Sequence, residues 1–408
     1  MKIVDLQTTV VGTPWRELTF LELETDSGLV GLGEVRMVNK TDTLLACIHE
    51  LAPRYVLGTD PFDVERLAWN VQVAEYGRPG EVAMSALAAF EVACWDLVGQ
   101  ALGVPIWKLL GGRFRSRVPA YANGWYHTKR DPTAMAEAAQ RVVERGYRAL
   151  KVDPFGAATG ALAREEFRFV VRLVQAMREA VGPDVELMIE MHGRFTPRAA
   201  VEIARALEEL EPAWLEEPIP PENPAALRRV REATHLPIAT GERAHTMGDC
   251  RELVEGGCVD ILQADLTHFG GLQAMKGLAK WASVHYLELA PHNVCGPVGT
   301  AANLHLAACT PNVRILEHFN DFADGWAAEL VDEAPAVSAA DGCFAVPDRP
   351  GLGLKLDHEA CSAHPRTGAR IELFDLAGSP LPPEDTPAPP RLLPMWDSSC
   401  SPTPTAAA

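Results

Sequence analysis

Six ionisable residues, Glu190, Glu216, Glu242, Asp265, His292 and Glu317, each stand at the carboxyl end of a short apolar run, at intervals of 26, 26, 23, 27 and 25 residues. An interval of that length is one strand plus a crossover helix, so a chain that repeats it is committed to parallel strands. The runs are VPAYANG from Val118, ALKVD from Ala149, VELMIE from Val185, PAWLEE from Pro212, PIATGE from Pro237, DILQAD from Asp260, LELAPH from Leu287 and VRILEH from Val313. Eight such runs separated by helix-patterned stretches predict an α/β fold with a closed barrel. The carboxyl ends of all its strands share one mouth, so six residues spread over 128 positions (190 to 317) converge there. A strand often ends in a polar residue where it meets solvent. That accounts for one or two of the six, not for an acid or histidine at the same place in successive units.

Ahead of the barrel, LTFLELETDSGLVGLGEV alternates apolar and polar residues about Asp26-Ser27-Gly28 and predicts a β-hairpin. Two or three helices follow, ending in EVAMSALAAFEVACWDLVGQALG. Residues 1–112 therefore read as an α+β domain and residues 113–345 as the barrel. After the last strand, DGCFAVPDRPGLGLKLD is again strand and turn, and residues 346–378 are expected to return to the first domain. Residues 379–408 are dominated by Pro, Ser, Thr and Ala and are expected to be disordered.

With 408 residues and 47% hydrophobic content the chain can bury a core of that size. Its formal charge of −18, from 55 acidic against 37 basic residues, disfavours nucleic acid and anionic membranes as partners and favours small molecules. A site for anionic substrates in such a field needs local positive charge, for which a bound metal ion is the obvious source. The nine cysteines are odd in number and none stands in a CxxC pair, which argues against a disulfide framework or zinc module. MKIVDLQTTVVG has no charged region followed by a long apolar run, and no stretch is expected to reach the length of a membrane span; a cytoplasmic setting and a homo-oligomer are expected.

Glu190, Glu216 and Glu242 are hard oxygen donors on three consecutive strands, a composition that favours Mg²⁺, or Mn²⁺ in its place, over zinc. The bland alternative is three solvent-facing glutamates, or carboxylates paired with Arg194 and Arg243. Asp265 and His292 end neighbouring strands, and a carboxylate beside an imidazole fixes its tautomer and raises its basicity, as a general base requires. His192 follows Glu190 by two residues and, if strand geometry persists, points to the same side, across from His292, where it can serve as general acid. A loop histidine that only hydrogen-bonds substrate is the alternative.

The segments FEVACWDLVGQALGVPIWKLLGG, WLEEPIPPEN, PIATGER, DILQADLTHFGG, LAPHNVCGPVG and DRPGLGLKLD, in that order, resemble the mandelate racemase branch of the enolase superfamily over residues 1–378. The resemblance implies a modified (β/α)₇β TIM-like barrel closed by a capping domain from both chain ends. It also implies abstraction of the proton α to a carboxylate, giving an enediolate held by Mg²⁺. By position it implies Glu190, Glu216 and Glu242 as metal ligands, with Glu217 behind them, and Asp265 with His292 as the base. It places Glu317 on the substrate carboxylate and Lys151 as a group polarising it. Glu190 departs from the usual Asp, and Lys151-Val152-Asp153 departs from the KxK motif of racemising relatives, so the opposite-face lysine base is missing.

Dehydration needs one base and an acid for the departing β-hydroxyl, which His292 and His192 provide, and ExHGR resembles the DxHGR of galactonate-type sugar-acid dehydratases. The expected function is therefore dehydration of an aldonate or aldarate to a 2-keto-3-deoxy acid. An epimerase, racemase or cycloisomerase working through the same enediolate, or a non-catalytic scaffold, are the alternatives. Candidate substrate-contacting residues are Asp153, Trp15, Arg16, Tyr76, Arg78, Trp125, Tyr126 and His127, with loop packing as an equal alternative for the loop residues.

Overall fold

In the computed structural model the described residues are 1–14, 16–323, 325–368, 370–372 and 392–394. The chain opens with an antiparallel sheet of β1 (Ile3–Gly12), β2 (Glu17–Thr25) and β3 (Val30–Val35), in the order β1-β2-β3. The β2–β3 turn is the expected hairpin, with Gly28 at φ 78 donating its N–H to Thr25 O at 2.9 Å. Against the sheet lie α1 (Thr41–Tyr55), α2 (Val64–Ala74) and α3 (Glu81–Leu102), followed by the short α4 (Ile106–Leu109).

The 22-residue α3 is apolar on nearly all sides, which marks a helix enclosed by its neighbours. It corrects one sequence expectation, because by length and composition α3 could cross a membrane. Its most apolar window is 83% buried, however, and it forms the core of the first domain. Gly31 and Gly33 of β3 sit so close to α3 that a Cβ at either would lie within 2.3 Å of the carbonyl oxygen of Ala93 or Ala89.

The barrel alternates β4 (Arg117–Ala122), α5 (Pro132–Glu144), β5 (Ala149–Val152), α6 (Arg164–Val181), β6 (Glu186–Glu190), α7 (Pro197–Leu207), β7 (Trp214–Glu216), α8 (Pro224–Glu232), β8 (Ile238–Thr240), α9 (Arg251–Glu255), β9 (Ile261–Leu262), α10 (Leu272–Val284), β10 (Glu288–Leu289), α11 (Pro297–Ala308) and β11 (Leu316–His318). All eight expected strands form. Neighbours pair in parallel from β4 to β10, β11 pairs in parallel with β4, and a Leu289–Val313 bridge joins the last gap. Three helices start on the same local signal: Asp131, Thr196 and Asn223 each accept an N–H from three residues on, with proline at the first helical position.

Tyr121, Ala149, Met188, Trp214, Ala239, Ile261, Ala290 and Ile315, one from each strand unit, fill the barrel with alternating bulk, Tyr121 meeting Trp214 edge-on at 5.5 Å. Side chains alternate along a strand, so the residue two positions on faces the same axis one layer higher. That next layer is Asn123, Lys151, Glu190, Glu216, Gly241, Gln263, His292 and Glu317, and it forms the floor of the mouth. The change from apolar to polar within two residues is what places the chemistry.

After β11, α12 (Asn320–Ala323) leads to β12 (Val337–Ser338) and β13 (Cys343–Ala345), an antiparallel pair that adds to β4 through β13. The strand part of DGCFAVPDRPGLGLKLD thus joins the barrel edge, whereas the following loop packs on the first domain. Leu352 N–H donates to Asp96 of α3 at 2.8 Å, and Gly12 N–H donates to His364 O at 3.0 Å. Within the Pro-rich tail only Leu392–Pro394 are described, paired in parallel with Arg370–Glu372; the rest of 379–408 lies outside the described residues.

Candidate active site

The barrel mouth and the first domain enclose a cavity of about 500 Å³. Lys151, Glu190, His192, Glu242, Arg243 and His292 line it from the barrel, and Arg16, Arg36, Met37, Lys40 and Glu81 line it from the cap. Parallel pairing places Glu190 of β6 directly beside Glu216 of β7. One carboxylate oxygen from each of Glu190, Glu216 and Glu242 lies within 4.8 Å of the others, which is a group able to hold a divalent cation.

Lys151 sits under this group, with Nζ 2.5 Å from Glu216, 3.0 Å from Glu317 and 3.2 Å from Glu190. Burial opposes its charge, but Glu216 and Glu317 more than offset this, and it stays an ammonium. Glu216 also accepts from Trp214 Nε1 and Gln263 Nε2, at 2.9 and 2.7 Å. Its pKa is nevertheless raised to about 8, first by burial and then by Glu190. Glu190 Oε2 is buried and accepts no well-aligned hydrogen bond, its near neighbour being the Lys151 ammonium at 3.2 Å. Three converging carboxylates with one cation beneath them form an all-oxygen donor set that fits a hard divalent cation. The bland pairing is only partly present, since Arg243 Nε holds Glu217 at 2.9 and 3.0 Å and lies 3.8 Å from Glu242 through its Nη2. Arg194 pairs with Asp153 instead.

Two Asp–His pairs face the cavity from opposite sides, β6 and β10 being the third and seventh of eight strands. His292 Nδ1 is 2.7 Å from Asp265 Oδ2, and its Nε2 is 3.6 Å from Glu242. His192 Nδ1 is 2.6 Å from Asp153 Oδ2. Burial would lower both histidines, yet the carboxylates raise each to about 9: Glu242 and Asp265 act on His292, Glu190 and Asp153 on His192. The two aspartates differ in their other partners. Asp265 accepts otherwise from the neutral Thr267 N–H and hydroxyl, whereas Asp153 also accepts from the Arg194 guanidinium at 2.6 Å. Arg194 draws on the charge of Asp153, leaving less of it to retain the proton of His192.

Several expectations are corrected here. Strand geometry does not persist to His192: its backbone is left-handed at φ 47, its N–H donates to Glu190 Oε1 at 2.7 Å, and this turn, not strand alternation, aims the ring at Asp153. Asp153 is fully buried, holds His192 and Arg194, and lies behind the cavity wall and not on it. Glu317 is also enclosed beneath the cavity, accepting from Lys151, from Asn123 Nδ2 at 2.7 Å and from Asn293 N–H at 2.9 Å. Burial opposes its ionisation, but Lys151 and His292 bring it down to about 2. What reaches the cavity from this cluster is the Lys151 ammonium and the Asn123 amide.

Of the loop candidates, Arg16 lines the cavity, donating to Asn320 at 2.7 Å and lying 4.6 Å over the Phe319 ring. Tyr126 is also on the wall. Trp125 lies behind it, its Nε1 donating to Lys151 O at 2.7 Å. Tyr76 and Arg78 are exposed in the loop before α3, and His127 is exposed beside Tyr126; none of the three lines the cavity. Trp15 lies outside the described residues. Sequence reasoning missed Arg36, Glu81, Asn123, His245 and His268 on the wall. Asn123 was legible, standing two residues beyond Tyr121 as Lys151 stands beyond Ala149.

Comparison with known proteins shows the family to which this chain belongs. The family model described as mandelate racemase / muconate lactonizing enzyme, N-terminal domain, matches residues 3–111, and the enolase C-terminal domain-like model matches residues 134–360. The chain is similar to a D-gluconate dehydratase from Thermoproteus tenax, 37% identical over 346 residues, covering 84% of this chain and 69% of that protein. It is also similar to a D-xylonate dehydratase from Haloferax volcanii, 36% identical over 387 residues, covering 92% and 91%. A solved mandelate racemase/muconate lactonizing enzyme from Jannaschia sp. CCS1 superposes with TM-score 0.84 at 33% identity, covering 90% of this chain and 98% of that one.

Proposed function

The chain belongs to the mandelate racemase/muconate lactonizing enzyme family of the enolase superfamily, and we propose from that membership and the cavity's geometry that it is a sugar-acid dehydratase. The observation that carries the reading is two Asp–His couples on opposite walls of one cavity, both histidines held at about 9 and only the Asp153 couple shared with an arginine. Glu242 and Asp265 hold the proton of His292, whereas Arg194 opposes that of His192. This supports an assignment in which the His292 wall accepts a proton and the His192 wall donates one, as dehydration requires.

In this reading Glu190, Glu216 and Glu242 hold Mg²⁺, or Mn²⁺ in its place. A divalent ion held by these three carboxylates would supply positive charge to offset the negative charge of the substrate carboxylate. Lys151, fixed by Glu216 and Glu317, adds positive charge at the same carboxylate, and the Asn123 amide adds a hydrogen-bond donor. His292 Nε2 removes the proton from the carbon next to the carboxylate. His192 then protonates the β-hydroxyl as its C–O bond breaks, so that water leaves and the enol product tautomerises to a 2-keto-3-deoxy acid. The D-gluconate and D-xylonate dehydratases among the relatives support an aldonate as the substrate class. The test is a screen of the Mg²⁺-loaded protein against mono- and diacid sugars: a 2-keto acid product supports the reading, and a product that keeps the full oxygen count refutes it.

A cytoplasmic setting is proposed on the free thiols of the eight described cysteines. A homo-oligomer is proposed on Phe62, Trp69, Val73 and Tyr76, exposed apolar side chains on and around α2 with Trp69 at 65%.

A further inference from the structure

His268 lines the cavity and follows Asp265 by three residues, yet neither Asp–His couple includes it. Its Nδ1 is 2.7 Å from the hydroxyl of Ser85 on α3 of the cap. That hydroxyl has a single hydrogen, and it lies 2.6 Å from the carbonyl oxygen of Glu81, which can only accept. Ser85 therefore donates to Glu81 and must accept from His268, so the imidazole carries its hydrogen on Nδ1. In the neutral ring Nε2 is then a bare lone pair. Burial pushes His268 down to about 4 despite Asp265, which keeps the ring neutral at physiological pH.

Among the described residues no donor is hydrogen-bonded to Nε2. Asp265 lies 3.9 Å from it, another acceptor and too distant to bond. An acceptor on a cavity wall next to a second acceptor calls for a donor from the ligand. Asp265 stands across the His292 ring from Glu242, and His268 stands beyond Asp265 against α3, so this acceptor faces the part of a ligand that extends under the cap.

We infer that His268 Nε2 accepts a hydrogen bond from a substrate hydroxyl beyond the two reacting carbons, and that Ser85 of the cap sets the tautomer that makes this recognition work. His268 is then a specificity residue and Ser85 a positioning residue. The inference rests on the reading of this cavity as the site of a polyhydroxy acid. A site built to pair with a hydroxyl discriminates against the analogue that lacks it far more strongly than an apolar wall does.

The test measures calorimetric binding of gluconate, galactonate and xylonate to the full, Mg²⁺-loaded chain carrying His292→Asn, so that bound acid is not consumed. The same is done with His268→Leu, His268→Gln or Ser85→Ala added, and with each acid's analogues deoxygenated one position at a time beyond the third carbon. His268→Leu is expected to weaken the parent acid about tenfold or more while leaving one deoxy analogue unchanged. His268→Gln, whose amide oxygen restores an acceptor, should regain part of that discrimination. Ser85→Ala, which does not reach the cavity, should weaken the parent but not that same analogue. Equal weakening of the parent and every analogue, or none, overturns the inference. Analogue-specific weakening together with no keto acid formed by the chain with His292 intact would overturn the dehydratase reading alone.

Discussion

Glu216 carries much of the electrostatic tension in the site. Buried beside Glu190, it is held at about 8, and His292 beside Glu242 is held at about 9. Both pKa values are raised, so near pH 7 the metal-free protein holds protons that a divalent cation has to displace. Metal binding should therefore release protons, and apparent affinity should rise with pH through about 8 to 9 before levelling. Calorimetry at pH 7 in buffers of different ionisation heat would read the release as a buffer-dependent enthalpy. Glu216→Gln or Glu242→Gln should abolish metal binding and turnover while leaving the fold largely intact; unchanged affinity in both would refute the ligand assignment. Freeing His292 by the same displacement is what fits it to act as base, since Glu242 is first among the groups that hold its proton.

Individual elements show how the cap is fastened to the barrel. Glu34 of β3 accepts the N–H groups of Val298 and Gly299, at 3.0 and 2.8 Å, and that of Gly296, at the start of α11. Glu91 of α3 does the same for α10, accepting from Leu272 at 2.8 Å and Gln273 at 2.9 Å. Two buried carboxylates of the first domain thus satisfy the open amino ends of two barrel helices and complement their dipoles. Burial raises Glu91 to about 7, above the ordinary 4.5. The folded state then binds its proton more tightly than the unfolded chain. The stability this adds is fully present below about pH 4.5 and is lost as pH rises through about 7. Thermal unfolding of Glu91→Gln should accordingly vary less with pH across that window than the parent does; an unchanged pH profile would contradict the assignment.

The strands were legible as elements because their apolar runs are short, bounded, and end on a charged or polar residue. Even β9 and β10, two residues long, lie inside their predicted runs. β1 was not legible: Val4 is exposed and the strand's burial is irregular, so no clean period of two appears in its sequence.

The whole molecule completes the site by bringing distant parts of the chain together, and this is where sequence reading ran out. Glu190, Glu216, Glu242, Asp265 and His292 could be found because one repeat unit separates each from the next and the barrel axis supplies the convergence. No such rule joins Ser85 to His268, 183 positions apart, or places Arg36 on the wall above the barrel. Those meetings depend on how the cap packs, through contacts such as Gly351 of the C-terminal loop. It sits at φ 68, and a Cβ there would lie 2.1 Å from Asp96 Oδ1 of α3. That Asp153 and Glu317 are enclosed by protein partners was not legible for a related reason. Sequence position gives the layer a residue occupies, not which partners consume its oxygens.

The division of labour between the two histidines is the central claim, and proton NMR in deuterated solvent tests it most directly. The Mg²⁺-loaded protein and its His292→Asn and His192→Asn variants are incubated with an aldonate that the parent dehydrates, following both keto-acid formation and exchange of the hydrogen next to the carboxylate. His292→Asn should lose both signals, by about 10²- to 10⁴-fold. His192→Asn should lose keto acid by a similar factor but keep measurable exchange, because His292, Lys151 and the metal ligands remain. Exchange that survives in His292→Asn and vanishes in His192→Asn would contradict the account.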